Sequence, residues 1–317
     1  MERMNHPREI IGIAHSRPTL EGAGVHLRRA FGFHDTALFD PFLLLDDFRG
    51  DRPEQFVAGF PWHPHRGIET ITYMFEGSVE HGDSLGNRGT IRAGDVQWMT
   101  AGRGIIHQEM PKPDACGRMG GFQLWANLPA DRKMIAPRYQ EFGREALPRA
   151  NLDGGAHAIV VCGRLGGVEG PVNAVAAAPG FFDIAAPAGR RIALPTPAEH
   201  NALAYVFVGR ARFEEPCDPR RWEVRDDGYT ARITEPWLGD HTLIRFGPGD
   251  EIRVETGDAP VRFLLMTGRP LREPIAWGGP IVMNTREELE TAFRQLDDGT
   301  FLDTPPRGSA ATRPAAP

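Results

Sequence analysis

The sequence of 317 residues contains only three cysteines, Cys116, Cys162 and Cys217, which lie far apart and form no Cys-x-x-Cys pair. An odd, sparse set of this kind neither cross-links a small secreted fold nor supplies a thiolate metal site. We therefore interpret the cysteines as free thiols in a reducing compartment. The N-terminus also lacks an apolar run of signal-peptide length, and together these absences predict a cytoplasmic protein.

Clustered positive charge and long apolar segments are also absent. The net charge is −6, and no block of five or more basic residues occurs. Because non-specific binding of phosphates needs a concentrated positive surface, direct binding of nucleic acid is not expected. No segment approaches the about 20 consecutive apolar residues of a membrane span, so we expect no membrane partner either.

Glycine and proline, by contrast, are abundant, at 37 and 28 residues. They bound short stretches in which apolar and polar residues alternate, which is typical of β-strands joined by tight turns. Many such strands at short spacing indicate a barrel or sandwich, so the predicted fold class is mainly β. The predicted strands are Ile68–Phe75, Thr90–Ile91, Val96–Met99, Phe122–Leu128, Phe181–Ala185, Ala202–Val208, Thr242–Phe246 and Val261–Met266.

Two short matches indicate an internal duplication. Tyr73–Gly77 resembles Tyr205–Gly209, and Arg92–Asp95 resembles Gly247–Asp250, in the same order along the chain. Self-similarity of this kind predicts a duplicated barrel. The two pairs are not equally spaced, which predicts an insertion near residues 214–240.

One helix is predicted near the C-terminus. Thr285 and Glu288 have the spacing of a capping box, and four apolar residues then fall on one helical face before Gly299. We expect the helical segment to span residues 284–302. The remaining residues, 303–317, are rich in proline, alanine and serine and are predicted to be disordered.

Two pairs of potential metal ligands stand out. His63 and His65 are two residues apart, as are His107 and Glu109, so each pair leaves one face of a strand. If the two strands are neighbours in a barrel, the four side chains converge on one interior point. Three imidazoles and a carboxylate without a thiolate suit Fe(II), Mn(II), Ni(II), Co(II) or Cu(II) better than a closed structural zinc site, and leave about two positions open on an octahedral ion.

Long stretches around these residues resemble the pirin family of the cupin superfamily. They are Asp40–Phe48 (DPFLLLDDF), Gly59–Gly77 (GFPWHPHRGIETITYMFEG), Gly94–Pro111 (GDVQWMTAGRGIIHQEMP) and Ile281–Phe301 (IVMNTREELETAFRQLDDGTF). The resemblance extends over about residues 10–301. It implies two tandem cupin barrels, each a double-stranded β-helix, with a C-terminal helix.

The resemblance further implies one non-haem metal ion in the N-terminal barrel, held by His63, His65, His107 and Glu109. Fe(II) is the expected metal, with Mn, Ni, Co, Cu or Zn as alternatives. The predicted division of the chain is an N-terminal metal-binding barrel in 1–135, a connection in 136–177, a metal-free C-terminal barrel in 178–283, the helix in 284–302 and the tail in 303–317.

Two functions follow from the resemblance. The first is a quercetin 2,3-dioxygenase, in which Glu109 is both a metal ligand and the proton acceptor for a small aromatic or enolic substrate that reacts with O2. The second is an iron-dependent, redox-sensing regulator that binds a protein partner, either a transcription cofactor complex or a metabolic enzyme. An open, aromatic-lined pocket would favour catalysis, whereas a plugged pocket beside a charged surface would favour regulation.

Several other residues carry weaker expectations. Glu69 lies an even number of residues from His65, so it could share the interior face as an alternate ligand or as a partner of the ligands. In the second barrel, the repeat places four non-ligating residues at the ligand positions: Pro195, Pro197, Arg262 and Leu264.

Three histidines are expected to be solvated: His81, His200 and His241. Two arginines are expected to pair with carboxylates, Arg66 and Arg103. Three tryptophans are assigned either to a pocket wall or to the core: Trp62, Trp98 and Trp125.

Overall fold

The computed structural model describes residues 6–213, 223–226, 229–232 and 236–303. Strands β1 to β14 are Ile10–His15, Arg17–Glu21, Val25–Phe31, Phe42–Asp47, Phe60–His65, Ile68–Glu76, Ser78–Asp83, Arg88–Arg92, Val96–Thr100, Ile105–Lys112, Gly120–Asn127, Arg138–Phe142, Arg149–Asn151 and His157–Cys162. Strands β15 to β28 are Arg164–Leu165, Val168–Glu169, Gly180–Ala186, Arg191–Pro195, Asn201–Val208, Arg210–Arg212, Glu223–Asp226, Tyr229–Arg232, Leu238–Gly239, Thr242–Phe246, Glu251–Thr256, Val261–Gly268, Ala276–Gly278 and Ile281–Met283. The α-helices are α1, Thr36–Phe39, and α2, Arg286–Asp297.

The strands form two barrels of the same topology. In the first, a large sheet in the order β12-β9-β6-β11-β4-β3-β2 faces a small sheet in the order β5-β10-β7-β8. In the second, β1-β24-β19-β26-β17-β14-β13 faces β18-β25-β20-β23, and the hairpin β21-β22 extends the large sheet. This confirms the predicted mainly β fold with two tandem cupin barrels, and each predicted strand lies on an observed one.

Strand equivalence confirms one of the two internal repeats. Tyr73 in β6 and Tyr205 in β19 occupy equivalent central strands. The second match is wrong, because Asp95 precedes β9 whereas Asp250 precedes β25, the equivalent of β10. Gly-Asp turns of this kind recur between strands, so a four-residue match does not fix which turns correspond.

Strand pairing shows which residues of the second barrel stand at the positions equivalent to the predicted metal ligands. Pro195 pairs with Glu251 across β18 and β25, the strands equivalent to β5 and β10. Val79 opposes Pro111, and its equivalent Ala211 opposes Thr256, so Ile252 and Val254 occupy the places of His107 and Glu109. Leu194, which pairs with Ile252, rather than Pro195 then stands at the place of His63, and these three apolar side chains are buried in the core of the second barrel. The placement of Arg262 and Leu264 there is wrong, since both lie one strand further on, in β26. A metal-free second barrel stays a prediction.

A segment near each end of the described chain packs on the barrel that the rest of its half does not form. The N-terminal strand β1 pairs with β24 in the second barrel, with Ile13 opposite Ile244, and β2 then joins the first barrel. In return, the hairpin β27-β28 and helix α2 pack on the first barrel, where Val282 N–H donates to Arg66 O at 3.1 Å. The division of the chain into five parts stays a prediction. Strand β1, which that division assigns to the first barrel, pairs with the second barrel, and the C-terminal segment packs on the first.

The two barrels share one buried apolar layer. It is formed by large-sheet residues of both, among them Ile71, Trp98, Phe122, Leu124, Phe181, Leu203, Leu264 and Met266. Two reciprocal hydrogen bonds cross it: Tyr73 Oη donates to Asp183 Oδ2 at 2.7 Å, and Tyr205 Oη donates to Asp47 Oδ2 at 2.9 Å. Each aspartate also pairs with an arginine, Asp183 with Arg262 and Asp47 with Arg49. The tyrosines that mark the repeat thus join one barrel to the other.

The C-terminal helix begins as predicted. The Thr285 side chain accepts from Glu288 N–H, and the Glu288 carboxylate accepts in return from Thr285 N–H. Gly299 adopts a φ of 71° just beyond the helix, a conformation that favours glycine. No helix among the described residues is long and apolar enough to cross a membrane. The predicted disordered tail, except for Asp303, and Cys217 lie outside the described residues.

Replacing Tyr205 with phenylalanine is expected to destabilise the protein by about 1–3 kcal/mol, because the buried Asp47 carboxylate loses a hydrogen bond that water does not replace. Chemical unfolding followed by tryptophan fluorescence measures the change. Tyr139→Phe is the matched control, since its hydroxyl contacts the exposed Glu141 carboxylate and its loss is expected to cost less. Equal losses in the two variants would contradict the role of the inter-barrel bond.

Candidate metal centre

The two candidate ligand pairs lie on neighbouring strands of the small sheet. β5 is the edge strand, which tolerates Pro61 and Pro64 because an edge leaves backbone N–H positions unpaired. β5 and β10 run antiparallel, and His63 stands directly opposite His107. A bulge follows, so that Glu109 stands opposite Phe60.

Three imidazoles converge at this point. One ligand nitrogen from each of His63, His65 and His107 lies within 4.8 Å of the others, and the ring centroids are 4.3–4.9 Å apart. Across the part of the chain that the structure describes, this is the one group of three metal-ligating side chains at such distances. His65 and His107 are buried and His63 is half-buried.

Backbone carbonyls orient two of the three rings. His63 Nδ1 lies 2.8 Å from Pro61 O, and His65 Nδ1 lies 3.1 Å from Pro280 O. A carbonyl only accepts, so each Nδ1 carries the proton and each Nε2 keeps a free lone pair. Neither nitrogen of His107 has a hydrogen-bond partner, although the ring is 1% exposed. A metal ion bound at one of these nitrogens would supply a partner that the protein does not.

Burial also keeps the rings of His65 and His107 neutral. It lowers the pKa of His65 and that of His107 well below the usual value, and the neighbouring imidazoles lower both further. A protonated imidazole has no lone pair to offer, so a lowered pKa keeps the ligand form available at neutral pH. These observations fit a divalent metal ion held by the three histidines.

Glu109 lies beside the histidines but is not a member of the group of three. Its carboxylate is buried and accepts from Thr72 Oγ1 at 3.0 Å and from Gln123 Nε2 at 3.3 Å. Both donors are neutral, and the carboxylate faces the same cavity as His63 and His65. The role of Glu109 as fourth ligand stays a prediction.

A cavity of about 590 Å³ opens onto the cluster. Aromatic side chains form much of its wall: Phe33, Phe48, Phe60, Trp62, Trp125 and Trp277. The Trp125 ring stands edge-on to the His65 ring with a centroid distance of 5.0 Å. Of the three tryptophans with open assignments, Trp62 and Trp125 therefore line the cavity, whereas Trp98 is fully buried in the layer between the barrels.

The prediction of a solvated His81 is wrong. His81 lies on β7 opposite Glu109, its side chain is buried, and its ring centroid is 5.4 Å from that of His107. Gln97 Nε2 contacts its Nδ1 at 3.0 Å, and Asp83 lies 3.4 Å from its Nε2. The nearby glycines suggest a turn, but pairing with β10 makes the segment a strand.

The prediction for Glu69 is also wrong. Gly67, with a φ of 77°, reverses the chain between β5 and β6, so counting residues from His65 does not carry across the turn. Thr72 faces the cavity, and Glu69, three residues earlier, faces the second barrel. Its carboxylate accepts from Thr100 Oγ1 at 2.7 Å, and burial raises its pKa to about 7.

Two further expectations need correction. His200 is buried, not exposed, and His241 is half-buried against Asp47. The Arg66 guanidinium donates to Arg103 O, Phe301 O and Gln295 Oε1, and its pairing with a carboxylate stays a prediction. Sequence reasoning also missed the contribution of Pro280 and Trp277, since no local pattern links a segment to a site more than 200 residues earlier.

The fold and the histidine cluster together define a bicupin protein with a candidate metal centre in its first barrel. The sequence profile of the pirin family matches residues 24–126, and that of the pirin C-terminal cupin domain matches residues 181–302. The chain therefore belongs to the pirin family.

Individual relatives cover nearly the whole chain. A pirin-like protein from Caulobacter vibrioides is 42% identical over 93% of this chain and 99% of its own length. A protein from Pseudomonas aeruginosa with the provisional name quercetin 2,3-dioxygenase is 41% identical over 94% of this chain and 99% of its own. The crystal structure of a quercetin 2,3-dioxygenase from Acinetobacter baumannii superposes with a TM-score of 0.80 at 30% identity, covering 93% and 98% of the two chains.

Replacing His107 with alanine is expected to weaken the binding of Ni(II) or Co(II) at least about 100-fold, because one of three converging imidazoles is lost. Titration calorimetry on the metal-free protein measures the affinity. His26→Ala, an exposed position, is the control and is expected to bind as the wild type does. Unchanged binding in His107→Ala would show that the metal is held elsewhere.

Replacing Glu69 with glutamine is expected to stabilise the protein at pH 8 by at most about 3 kcal/mol, with a smaller effect at pH 5. The folded pKa of about 7 lies above the ordinary 4.5, so the wild type loses stability as pH rises between these values. Urea unfolding at both pH values measures the difference. Glu80→Gln, an exposed substitution, is the control, and a pH-independent effect of Glu69→Gln would contradict the assignment.

Proposed function

We propose that this protein is a metal-dependent dioxygenase that cleaves quercetin or related flavonol and enediol compounds with O2. The observation that carries the proposal is the open, aromatic-walled cavity that ends at the three-histidine cluster. A chelating aromatic compound needs both features, a flat apolar wall for its rings and a metal at the closed end. The names of the Pseudomonas and Acinetobacter relatives agree with this chemistry.

His63, His65 and His107 would hold one divalent ion, with Glu109 as the proposed fourth ligand. Among the candidate metals we propose Fe(II), the metal that the resemblance to the pirin family implies, and imidazole and carboxylate donors without thiolate are compatible with it. When bound, such an ion supplies open positions at which the chelating substrate and O2 meet. The two carbonyl-oriented rings hold their Nε2 atoms in place before any ligand arrives.

Glu109 is proposed as the proton acceptor. A flavonol binds as its anion, so the hydroxyl proton must leave, and a carboxylate at the cavity wall can accept it. Thr72 and Gln123 fix the carboxylate and satisfy only part of its lone-pair capacity. The remaining capacity is available to the substrate hydroxyl or to the ion.

The tryptophans of the wall orient the substrate and exclude water. Trp125 stands against His65, and Trp277 lies 6.0 Å from Trp125 by ring centroids. The two rings are inclined at 38° to each other and give an apolar surface beside the proposed metal ligands, against which an aromatic ring packs. Trp62 is 54% exposed and lies at the mouth. The cavity is therefore open rather than plugged, which favours catalysis over the regulatory alternative.

Oxygen uptake after anaerobic reconstitution with Fe(II) tests the proposal. With quercetin, the wild type is expected to consume O2 and flavonol together, and Glu109→Gln is expected to lower kcat at least about 100-fold because the proton acceptor is lost. Glu80→Gln, on the neighbouring strand and exposed, is the matched control and should retain activity.

Two outcomes would contradict the proposal. Tight metal binding without turnover of quercetin or other flavonols would favour the iron-dependent regulator, acting through a protein partner. Failure to bind any divalent metal would remove the basis of both functions.

A further inference from the structure

A row of polar side chains crosses the large sheet of the first barrel at one level. Thr72 in β6 pairs with Gln123 in β11, and Gln123 pairs in turn with Asp46 in β4. Asp46 pairs with Arg29 in β3. Directly opposed residues share one face of a sheet, and all four of these side chains line the cavity above the histidines.

The two ends of this row make different contacts. Thr72 and Gln123 hold Glu109 beside the histidine cluster. At the other end, Arg29 and Asp46 form a two-pronged ion pair, with Nε to Oδ1 at 2.8 Å and Nη2 to Oδ2 at 2.7 Å. No step proposed for the metal centre uses this pair, yet Asp46 is only 5% exposed and lies in the wall of the same cavity.

The ion pair has hydrogen-bonding capacity left over. Arg29 uses two N–H groups on Asp46 and one on Glu21, at 2.8 Å, out of the five that a guanidinium carries. Each Asp46 oxygen accepts from Arg29 and retains a second lone pair. A partner that both donates and accepts, such as a hydroxyl group, matches this combination.

The charges at this end of the cavity select against anionic ligands. Two carboxylates surround one guanidinium, so an anionic group would meet net negative charge there. Burial raises the pKa of Asp46 to about 6, against the opposing effect of Arg29, which makes its carboxylate a stronger hydrogen-bond acceptor than an exposed aspartate.

We propose that Arg29 and Asp46 form a second recognition subsite, which binds a ring hydroxyl of an aromatic substrate whose other end chelates the metal. The inference rests on the proposed function and names its substrate class. That class is a flavonol-like compound with hydroxyls on a ring remote from the chelating group. Small enediols, which lack such a ring, are outside it.

Spacing supports this substrate class. Adjacent strands lie about 5 Å apart, so Asp46 stands about 5 Å and Arg29 about 10 Å from the strand position of Gln123. A small enediol bound at the histidines does not span that interval, whereas two linked ring systems do. The cavity wall offers Phe48 and Phe60 as apolar surface for those rings.

Ligand binding to the Zn(II)-loaded protein tests the subsite without turnover. Quercetin and 3-hydroxyflavone share the chelating group, but only quercetin carries hydroxyls on its remote rings. Quenching of tryptophan fluorescence measures both affinities. Asp46→Asn is expected to weaken quercetin at least about tenfold and to leave 3-hydroxyflavone within about twofold of wild type.

A double variant, Arg29→Met with Asp46→Leu, covers the case in which Asp46→Asn fails to fold because the half-buried Arg29 guanidinium keeps only Glu21 as an anionic partner. It removes both charges together, and retained Zn(II) binding shows that the site is intact. It is expected to show the same loss for quercetin alone. Glu21→Gln, at the exposed edge of the cluster, is the matched control and is expected to have a smaller effect.

Equal weakening of both ligands, or no weakening of either, would overturn the subsite. So would the absence of quercetin binding to the wild-type protein. These results are distinguishable from failure of the proposed function. Selective binding of quercetin without oxygen uptake by the Fe(II) protein would support the subsite and reject the dioxygenase.

Discussion

The apolar layer between the two barrels, with its pair of reciprocal tyrosine–aspartate bonds, is the constraint on which the metal centre depends. Tyr73 and Tyr205 each place a hydroxyl on a carboxylate of the opposite barrel, and each carboxylate is held in addition by an arginine. Such groups are costly to bury unless every partner is in place. The bonds therefore specify one relative arrangement of the barrels, and segments that cross from one barrel to the other can reach fixed positions.

The C-terminal segment after the second barrel contributes to the site in the first barrel. Pro280 O orients the ring of His65 from 215 residues further along the chain. Lys133 Nζ donates to Val282 O at 3.0 Å, and the Arg66 guanidinium donates to Phe301 O at 2.8 Å. These two buried side chains hold the C-terminal segment beside strand β5, so a segment that follows the second barrel in the chain orients a histidine of the first barrel.

The alternation of side chains gave correct predictions within a single strand and wrong ones across a turn of the chain. Alternation along one strand correctly placed His63 with His65 on one face, and it predicted the observed strands and the helix cap. The same rule failed for Glu69, because Gly67 reverses the chain before it, and glycines concealed the strand that buries His81. The contribution of Pro280 depends on tertiary packing alone, which no local pattern encodes.

The cavity holds two buried carboxylates, and their surroundings explain why only one of them suits a metal. Asp46 is compensated by the guanidinium of Arg29, so its charge is already balanced. Glu109 receives hydrogen bonds from a hydroxyl and an amide, and neither neutralises its charge. A buried carboxylate without a cationic partner is costly in a low-dielectric wall, and a divalent cation would stabilise it. Gln123 donates to Glu109 and stands beside Asp46 on the next strand, so it separates the proposed metal end of the cavity from the proposed hydroxyl subsite.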